Sequence, residues 1–522
     1  MSKKTSTVTP DFTELGHFQL DARTIRLIPL AFCHMHHVVV LEKYRHEAGC
    51  LIVVGMLEPD NIRILNMLEI LLQSKIKAVQ LNQYEVHQAL KTGYGEQLAA
   101  EKSGGHVIDL VVSDQTPHNA NSQAPELVDR MLIDAISNKA SDIHLETYRA
   151  DTDLRYRIDG ILQQAFTHIT LDNIRSVVNR LKVLAQLDIS EQRAPQDGRF
   201  RCTFVDGDLR SSIDFRLNIL PGPAGQDAVI RVLDASAMML PLDMLGMNEK
   251  MKQLLLSLIH NPEGLLLVTG PTGSGKTTTL YSLLNLLRDN GKKIITAEDP
   301  IEYYVDKINQ KQVSSVIDMA ALSRAFLRHD PDVLLIGEIR DQDTAQTASK
   351  ASCTGHLVLS TLHTPDAVGG IQRLKSLGLA DDEISHGLLG VLAQRLLRKV
   401  CRHCAQPKAI SEHQQQVLGY LLDGIHNVQG LGCKECNGTG YRGRIGVYEF
   451  VLVDETLQNM IFSSCSANAL RQAAREQGCL SMLEDALLKV NRGIVSLGEV
   501  FRVIPYRQLI ATVAELGAAK KQ

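Results

Sequence analysis

Tryptophan is absent from this chain, and Phe and Tyr bring the aromatic share of its 522 residues to only 4%. So few flat rings leave little for bases to stack on, which argues against a binder of single-stranded nucleic acid. Excess charge is missing too. Lys and Arg number 55 and Asp and Glu 59, a net of −4. A chain that follows phosphate backbones needs a basic balance, so only a local basic patch stays open. Long apolar runs are also lacking, since none approaches the ~18 residues of a membrane-spanning helix. The opening residues, Met1-Ser2-Lys3-Lys4-Thr5, lead into polar sequence, so no signal peptide is expected.

What remains is the composition of an ordinary soluble protein, 44% hydrophobic and 22% charged. The length suits three or four domains of about 150 residues each. One stretch stands out. Gly270-Pro271-Thr272-Gly273-Ser274-Gly275-Lys276-Thr277 spells a complete phosphate-binding loop. The apolar run Gly264–Val268 before it reads as a buried strand. Leu280, Leu283, Leu284 and Leu287 after it recur at helical spacing. Glycines let successive backbone N–H groups converge on phosphate oxygens, and the helix N-terminus adds partial positive charge. Lys276 is expected to reach the β- and γ-phosphates of ATP and Thr277 to ligate Mg²⁺, with Thr278 completing the nucleotide contacts. The alternative is a glycine-rich strand–helix turn that binds nothing.

Around this loop the chain divides as follows. Residues 1–95 read as a small N-terminal α+β domain, loose over its first 20 positions. Val38–Leu41 and Leu51–Val54 look like strands, and Asn61–Leu72 and Gln83–Leu90 like helices. Residues 96–124 have the composition of a linker, interrupted by the apolar run His106–Val112. Residues 125–238 read as a second α+β domain. It opens on a helix after Pro125 and continues with strands over Leu154–Ile158, Phe200–Phe204 and Ser212–Leu217. Turns are expected at Asp159-Gly160, Asp197-Gly198 and Asp206-Gly207. Residues 239–400 alternate strands and helices, which implies a parallel sheet covered on both faces. A cysteine-bearing segment, 401–449, and a helical tail, 450–522, follow.

Four further motifs carry chemistry. Val333–Ile336 followed by Gly337-Glu338 has the shape of a Walker B strand that delivers Glu338 beside the phosphate loop. A buried strand ending in an exposed acid is the bland reading. Thr296-Ala297-Glu298-Asp299-Pro300-Ile301-Glu302 places three carboxylates after the apolar run Lys293–Ile295. They could hold Mg²⁺ or polarise water, or form a solvated turn. His356 and His363 bracket an apolar strand and are candidates for sensing the γ-phosphate, although lone histidines are more often structural. Arg216 and Arg231 sit on alternating strands, where a solvent face is the default. Arginine supplied across an interface can stabilise charge on the γ-phosphate.

The chain has ten cysteines. Without an export signal and with an ATP site, the cytosol is the expected compartment, and thiols there stay reduced. Cys401-x-x-Cys404 and Cys433-x-x-Cys436 therefore read as four thiolate ligands for Zn²⁺. The span between the pairs is 28 residues, longer than usual, so a loop must be accommodated. Four buried free cysteines are the alternative. Cys33, Cys50, Cys202, Cys353, Cys465 and Cys479 are scattered and read as core residues.

Together these motifs resemble the secretion ATPases of type II secretion and type IV pilus assembly. The phosphate loop, the acidic box Thr296–Glu302, Gly337-Glu338, the segment Thr354–Thr364 and the paired C-x-x-C occur in that family's order. So do Ser141–Glu146 and Pro195–Arg199. The resemblance runs from about 125 to 500 and more weakly over 24–95. It implies a RecA-like P-loop core preceded by a PAS-like α+β domain. It also implies a homo-hexamer at the inner face of a bacterial inner membrane, bound peripherally through platform and docking proteins. Lys276 and Thr277 would be the nucleotide and Mg²⁺ contacts. Glu298, Glu302 and Glu338 would be the acids, His356 and His363 the histidine box, and Arg216 and Arg231 the arginines reaching the nucleotide. The four cysteines would be its zinc module. Gln226 stands where the family usually has glutamate, and no Arg-Leu-Gly pattern of cyclic-di-GMP-binding relatives is found. The first domain is accordingly expected to dock a membrane partner.

The function expected is ATP hydrolysis that powers pseudopilus or pilus assembly and protein secretion. Type II secretion is favoured, with type IV pilus extension as the alternative. Retraction motors generally lack the cysteine module and first domain. A nucleic-acid translocase is the runner-up from another class, and a nucleotide-gated scaffold without turnover is a third.

Overall fold

The computed structural model of the chain describes residues 37–46, 49–57, 59–72, 74–82, 107–111, 124–165, 168–206, 209–233, 240–288 and 291–519, with isolated positions between 18 and 92. Two compact units emerge. One comprises Met1–Ser137, Ile143–Leu154 and Phe166–Val232, the other Asn138–Asp142, Arg155–Ala165 and Leu233–Gln522.

At its N-terminal end the first unit holds a three-stranded sheet of order β1-β2-β3, formed by β1 (Val38–His46), β2 (Gly49–Met56) and β3 (Lys75–Gln80). β1 and β2 are antiparallel. β2 and β3 are parallel, and helix α1 (Ile62–Leu72) makes the crossover such a pair needs. Val38 to Leu41, Ile52 to Val54, Met56 and Leu68 form the buried centre. β3 escaped the sequence reading because Lys-Ile-Lys-Ala-Val-Gln carries charges at an exposed edge. The loose first 20 residues fall largely outside the described residues; of the helix expected at Gln83–Leu90, Glu85, Val86, Ala89 and Leu90 are described, and all four are helical.

β4 (Val107–Val111), β5 (Asp142–Thr147), β6 (Thr152–Ile158), β7 (Ile161–Gln164), β8 (Gln196–Asp206), β9 (Leu209–Pro221) and β10 (Gln226–Leu233) make a seven-stranded sheet of order β4-β8-β9-β10-β5-β6-β7. The apolar run inside the linker-like segment is thus a strand, β4, parallel to β8. Helix α2 (Ala124–Ser137) begins at Pro125's neighbour, with Leu127, Met131, Leu132 and Ala135 buried. The β8–β9 hairpin alternates strictly. Phe200, Cys202, Ile213, Phe215 and Leu217 are buried, and Phe200 stacks on Phe215 with ring centroids 4.9 Å apart. Asp159-Gly160 turns as expected, both with positive φ. Asp197-Gly198 does not turn but lies within β8. A Cβ on Gly198 would sit 2.8 Å from the Ala185 Cβ, so that glycine serves a close approach rather than a turn.

The second unit is built on β11 (Gly264–Thr269), β12 (Ile294–Glu298), β13 (Asn309–Gln312), β14 (Val333–Ile336), β15 (Leu357–Leu362), β16 (Leu388–Val400) and β19 (Tyr441–Leu452). Between the last two, β17 (Ala405–Pro407) and β18 (Val428–Gly430) pair separately. The sheet runs β13-β12-β14-β15-β11-β16-β19, parallel up to β16 with β19 antiparallel at the edge. Every residue of β11, β12, β14 and β15 is buried, because helices cover both faces. Leu266 and Val268 pack with α3 (Glu249–Ile259) and α4 (Lys276–Leu287). Leu265 and Leu267 join the opposite core with α5 (Met319–Phe326), α6 (Gln342–Ser352) and α7 (Ala367–Ser376). The C-terminal helices Glu455–Phe462, Ala467–Glu476, Met482–Asn491, Leu497–Val503 and Tyr506–Ala519 extend that second core. Among the described residues no helix is long and apolar enough to cross a membrane.

Candidate nucleotide site and metal centre

The phosphate loop leaves the carboxyl end of β11, the strand flanked by β15 and β16. That end is where an open parallel sheet presents its ligand site. Gly270, Gly273 and Gly275 have φ of 147°, 75° and 87°, values that favour glycine, and Gly275 caps α4 in the left-handed conformation. The loop cannot tolerate side chains at two of them. A Cβ on Gly270 would lie 2.4 Å from the Gln394 carbonyl oxygen, and one on Gly275 2.8 Å from Gln394 Nε2. A Cβ on Gly273 would meet nothing within 4 Å. Pro271, Thr272 and Gly273 are exposed, Ser274 is buried, and Thr277 and Thr278 open the helix beyond Lys276.

Lys276 Nζ donates to the carbonyl oxygens of Gly270 at 2.9 Å and Pro271 at 3.2 Å, so the ammonium lies across its own loop. Burial pulls its pKa below the usual lysine range, and the negative charge of Glu338 works against that. At the strand's end Thr269 Oγ1 lies 2.6 Å from Thr364 Oγ1 and 3.0 Å from the Leu362 carbonyl. These bonds tie the phosphate-loop strand to the segment carrying His363.

The three candidate acids have different surroundings. Glu338 lies two residues beyond the end of β14. Its carboxylate accepts from Arg340 at 2.9 Å and lies 3.1 Å from His363 Nε2. Arg340 also reaches Asp299, at 3.8 Å. Glycine precedes Glu338 for a steric reason: a Cβ at Gly337 would lie 3.0 Å from the Ala297 carbonyl. Glu298, at the end of β12, is 5% exposed. It accepts hydrogen bonds from Tyr281, from Thr296 Oγ1 at 2.5 Å and from Gln310 Nε2 at 3.1 Å. Burial, then Glu298, drives the Tyr281 phenol above its ordinary range, and Glu302 adds to this. Of the three acids, Glu338 is the one whose charge Lys276 feels.

The histidines separate as well. His363 stands with Glu338 at the carboxyl end of the strands. His356 precedes β15, and its carbonyl accepts from the Gly264 amide at the opposite end of β11. Six strand residues at about 3.3 Å each put His356 roughly 20 Å from the phosphate loop. Its Nδ1 lies 3.0 Å from the Ala351 carbonyl. Two residues flanking a strand of this length cannot both face one end of the sheet. Arg216 lies on β9 and Arg231, exposed, on β10 of the first unit.

Sequence reasoning missed Tyr281, Gln310, Arg340, Thr364 and Gln394. Gln394 carried a signal, being a lone amide in the run Leu388-Leu389-Gly390-Val391-Leu392-Ala393-Gln394.

The four cysteines converge. Their sulfurs all lie within 4.8 Å of one another. Cys401–Cys433 and Cys404–Cys436 are 3.8 Å apart and Cys433–Cys436 3.7 Å. A tetrahedron with metal–sulfur bonds of about 2.3 Å has edges near 3.8 Å. Backbone N–H groups of Gly432, Cys433 and Gly440 donate to these sulfurs at 3.2–3.3 Å. Burial works to raise the Cys436 thiol, but the amides of Cys433 and Gly440 and the neighbouring sulfurs bring it down to about 6. The module is an excursion within the β16–β19 hairpin. Cys401 follows β16 directly, and its amide donates to Gly440 beside the start of β19. The long span between the pairs holds β17, a capped helix Glu412–Leu418 and β18. Of the scattered cysteines, Cys33 and Cys202 are core residues, Cys465 and Cys479 are half-buried, and Cys353 is exposed.

A family model described as type II/IV secretion system protein matches residues 118–502, and an MshEN domain model matches residues 11–100. Type II secretion system ATPase E of Vibrio cholerae is 37% identical over 510 residues, 94% of this chain and 99% of that one. Type II secretion system protein E of Pectobacterium carotovorum is 46% identical over 392 residues, 74% and 77% of the two chains. Type IV pilus assembly ATPase PilB of Myxococcus xanthus is 37% identical over 503 residues, 93% and 87%. Among solved structures, the pilus retraction motor PilT with bound ADP superposes with a TM-score of 0.50 at 28% identity, over 72% of this chain and 95% of that one. The Legionella pneumophila ATPase DotB shares the fold, with a TM-score of 0.56 at 20% identity over 78% and 99%. The chain belongs to the type II/IV secretion system protein family of ATPases.

Proposed function

We propose that this chain is the ATPase motor of a type II secretion machine, working as a homo-hexamer. It would lie on the cytoplasmic side of the inner membrane, held there through platform and docking proteins. The observation that carries the reading is the glycine loop on β11 with Lys276 inside the field of Glu338. The near-complete alignment with the Vibrio ATPase supports the assignment to secretion. In this reading the loop amides and Lys276 bind the β- and γ-phosphates, and Thr277 and Glu338 hold Mg²⁺, which supplies charge neutralisation on the phosphates when bound. Glu338, oriented by His363 and Arg340, aligns the attacking water. Glu298 keeps the acidic segment in place from within a buried network of Tyr281, Thr296 and Gln310, and Glu302 adds negative charge near Tyr281. Arg216 and Arg231 bring positive charge to the γ-phosphate when domains close. Zn²⁺ on Cys401, Cys404, Cys433 and Cys436 pins the β16–β19 hairpin.

Type IV pilus assembly is the second reading, favoured by the 93% of this chain that aligns with the Myxococcus relative. The chain spans 99% of the secretion relative but 87% of the pilus one, which puts secretion first. The test is ATP turnover per chain against protein concentration, with secretion in a strain lacking its own copy read beside it. A per-chain rate that rises with concentration, with secretion restored, is expected. A flat rate with no restoration of secretion would overturn the reading.

A further inference from the structure

We propose that Gln394 is a positioning residue that sets the shape of the phosphate loop from the neighbouring strand. The inference rests on the nucleotide reading of that loop and adds a residue outside its motif.

Gln394 lies on β16, 1% exposed, next to Ala393, which pairs with Thr269 at the end of β11. It touches the loop at both ends. Its main-chain oxygen lies under Gly270, where a Cβ would come within 2.4 Å, and its side-chain Nε2 lies under Gly275, where one would come within 2.8 Å. Its Oε1 accepts from Thr279 Oγ1 at 2.7 Å, and Thr279 is fully buried one turn into α4. One residue therefore sits beneath the start of the loop, beneath its end, and against the helix that follows.

Phosphate binding depends on this arrangement. The first N–H groups of a helix have no partner within it, and an anion site needs them aimed at one point. Rotation or sliding of α4 about its axis would scatter those donors. The Thr279–Gln394 bond resists both motions, because it ties a buried helix side chain to a buried strand. An uncharged amide suits the position. It can accept from Thr279 without adding negative charge beneath a loop meant for phosphate, which a glutamate would do.

The test measures binding of Mg·ATP by the full chain, with melting temperature recorded alongside. The variants are Gln394→Met, Thr279→Val, their combination, and Gln394→Glu. Each single variant of the first pair should weaken binding about tenfold, and the pair together should weaken it no further than Thr279→Val alone, since that variant already breaks the Gln394 bond along with the Thr279 contact to Tyr448. Gln394→Glu should bind more weakly at pH 8 than at pH 6, as its carboxyl ionises. Gln394→Met should show equal losses at the two pH values. Losses that add in the double variant, or variants that bind within twofold of the wild type, would overturn the proposal. So would Gln394→Glu losses that are independent of pH. If Gln394→Glu does not fold, the cycle between Met and Val decides. A wild-type chain that binds no nucleotide would instead sink the nucleotide reading itself, and this inference with it.

Discussion

Glu338 and Glu298 end neighbouring segments of the parallel sheet, and their partners predict different fates on substitution. Glu338 pairs with groups at the mouth of the site, Arg340 and His363, both of them open to solvent. Glu338→Gln should lower turnover by about 10²-fold or more while melting temperature holds. Glu298 is enclosed by Tyr281, Thr296 and Gln310. Removing its acceptor atoms in Glu298→Ala should cost roughly 1–3 kcal/mol of stability, because buried donors lose their partner. Calorimetry beside a turnover assay separates the two. A stable but inactive Glu298→Ala, or an unstable Glu338→Gln, would reverse the assignment. At this scale the sequence was legible where chemistry requires a residue type in a fixed order, as in Gly270–Thr277. It was silent where contacts come from elsewhere in the chain. Nothing local says that Gly337 is glycine because a Cβ there would meet the Ala297 carbonyl at 3.0 Å, or that Tyr281 meets Glu298.

The β16–β19 hairpin links the phosphate loop to the C-terminal helices, and two glutamates along it respond to pH in opposite directions. Glu499, on the helix Leu497–Val503, is 1% exposed at its side chain and accepts from Arg398 on β16 and from Arg502. Burial raises its pKa, but Arg502 and Arg398 outweigh this and hold it at about 2. A folded-state value depressed below the unfolded 4.5 means stability is complete above pH 4.5 and lost as pH falls toward 2. The contribution is of order 2–3 kcal/mol at neutral pH. Glu449, on β19, lines a cavity with Asp366, Arg471 and Glu515, and burial pushes it up to about 7. Its raised value stabilises the fold below pH 4.5 and that contribution fades as pH rises through about 7. Melting curves from pH 4 to 8 should therefore show Glu499→Gln losing stability at pH 7 and Glu449→Gln gaining it at pH 8. In the second variant the new side-chain carbonyl could still accept from the Ala367 amide, which Glu449 does at 2.9 Å. Unchanged curves for both would contradict the buried pairing. Elements with one dominant pattern were readable, such as the fully buried β11 and β15. β3, β4 and the antiparallel placement of β19 were not, because pairing partners distant in sequence decide them.

Across the whole molecule, the cysteine module connects metal content to the unit that carries the nucleotide loop. The hairpin strands leave and re-enter the sheet beside Cys401 and Gly440, so a metal held by the four cysteines would close the excursion where it begins. One zinc per chain is expected by elemental analysis. A strong chelator should lower the melting temperature by roughly 5 °C or more, the scale of about 2 kcal/mol in a unit this large. A chain with no metal and an unchanged melting point would count against a structural centre. The tetracysteine spacing was legible in sequence, while the helix and strand pair that fill its long span were not, since their caps and pairing belong to the module's own fold.

The central claim is that the loop Gly270–Thr277 binds and cleaves ATP. It is tested most directly by ATP turnover of the full chain beside Lys276→Ala, with both shown to be folded by the same melting curve. The wild type should hydrolyse ATP and the variant should lose at least about 10²-fold, as expected when a charge on the transferring phosphate is removed. Equal turnover in the two chains, or none in either at any protein concentration, would contradict the account.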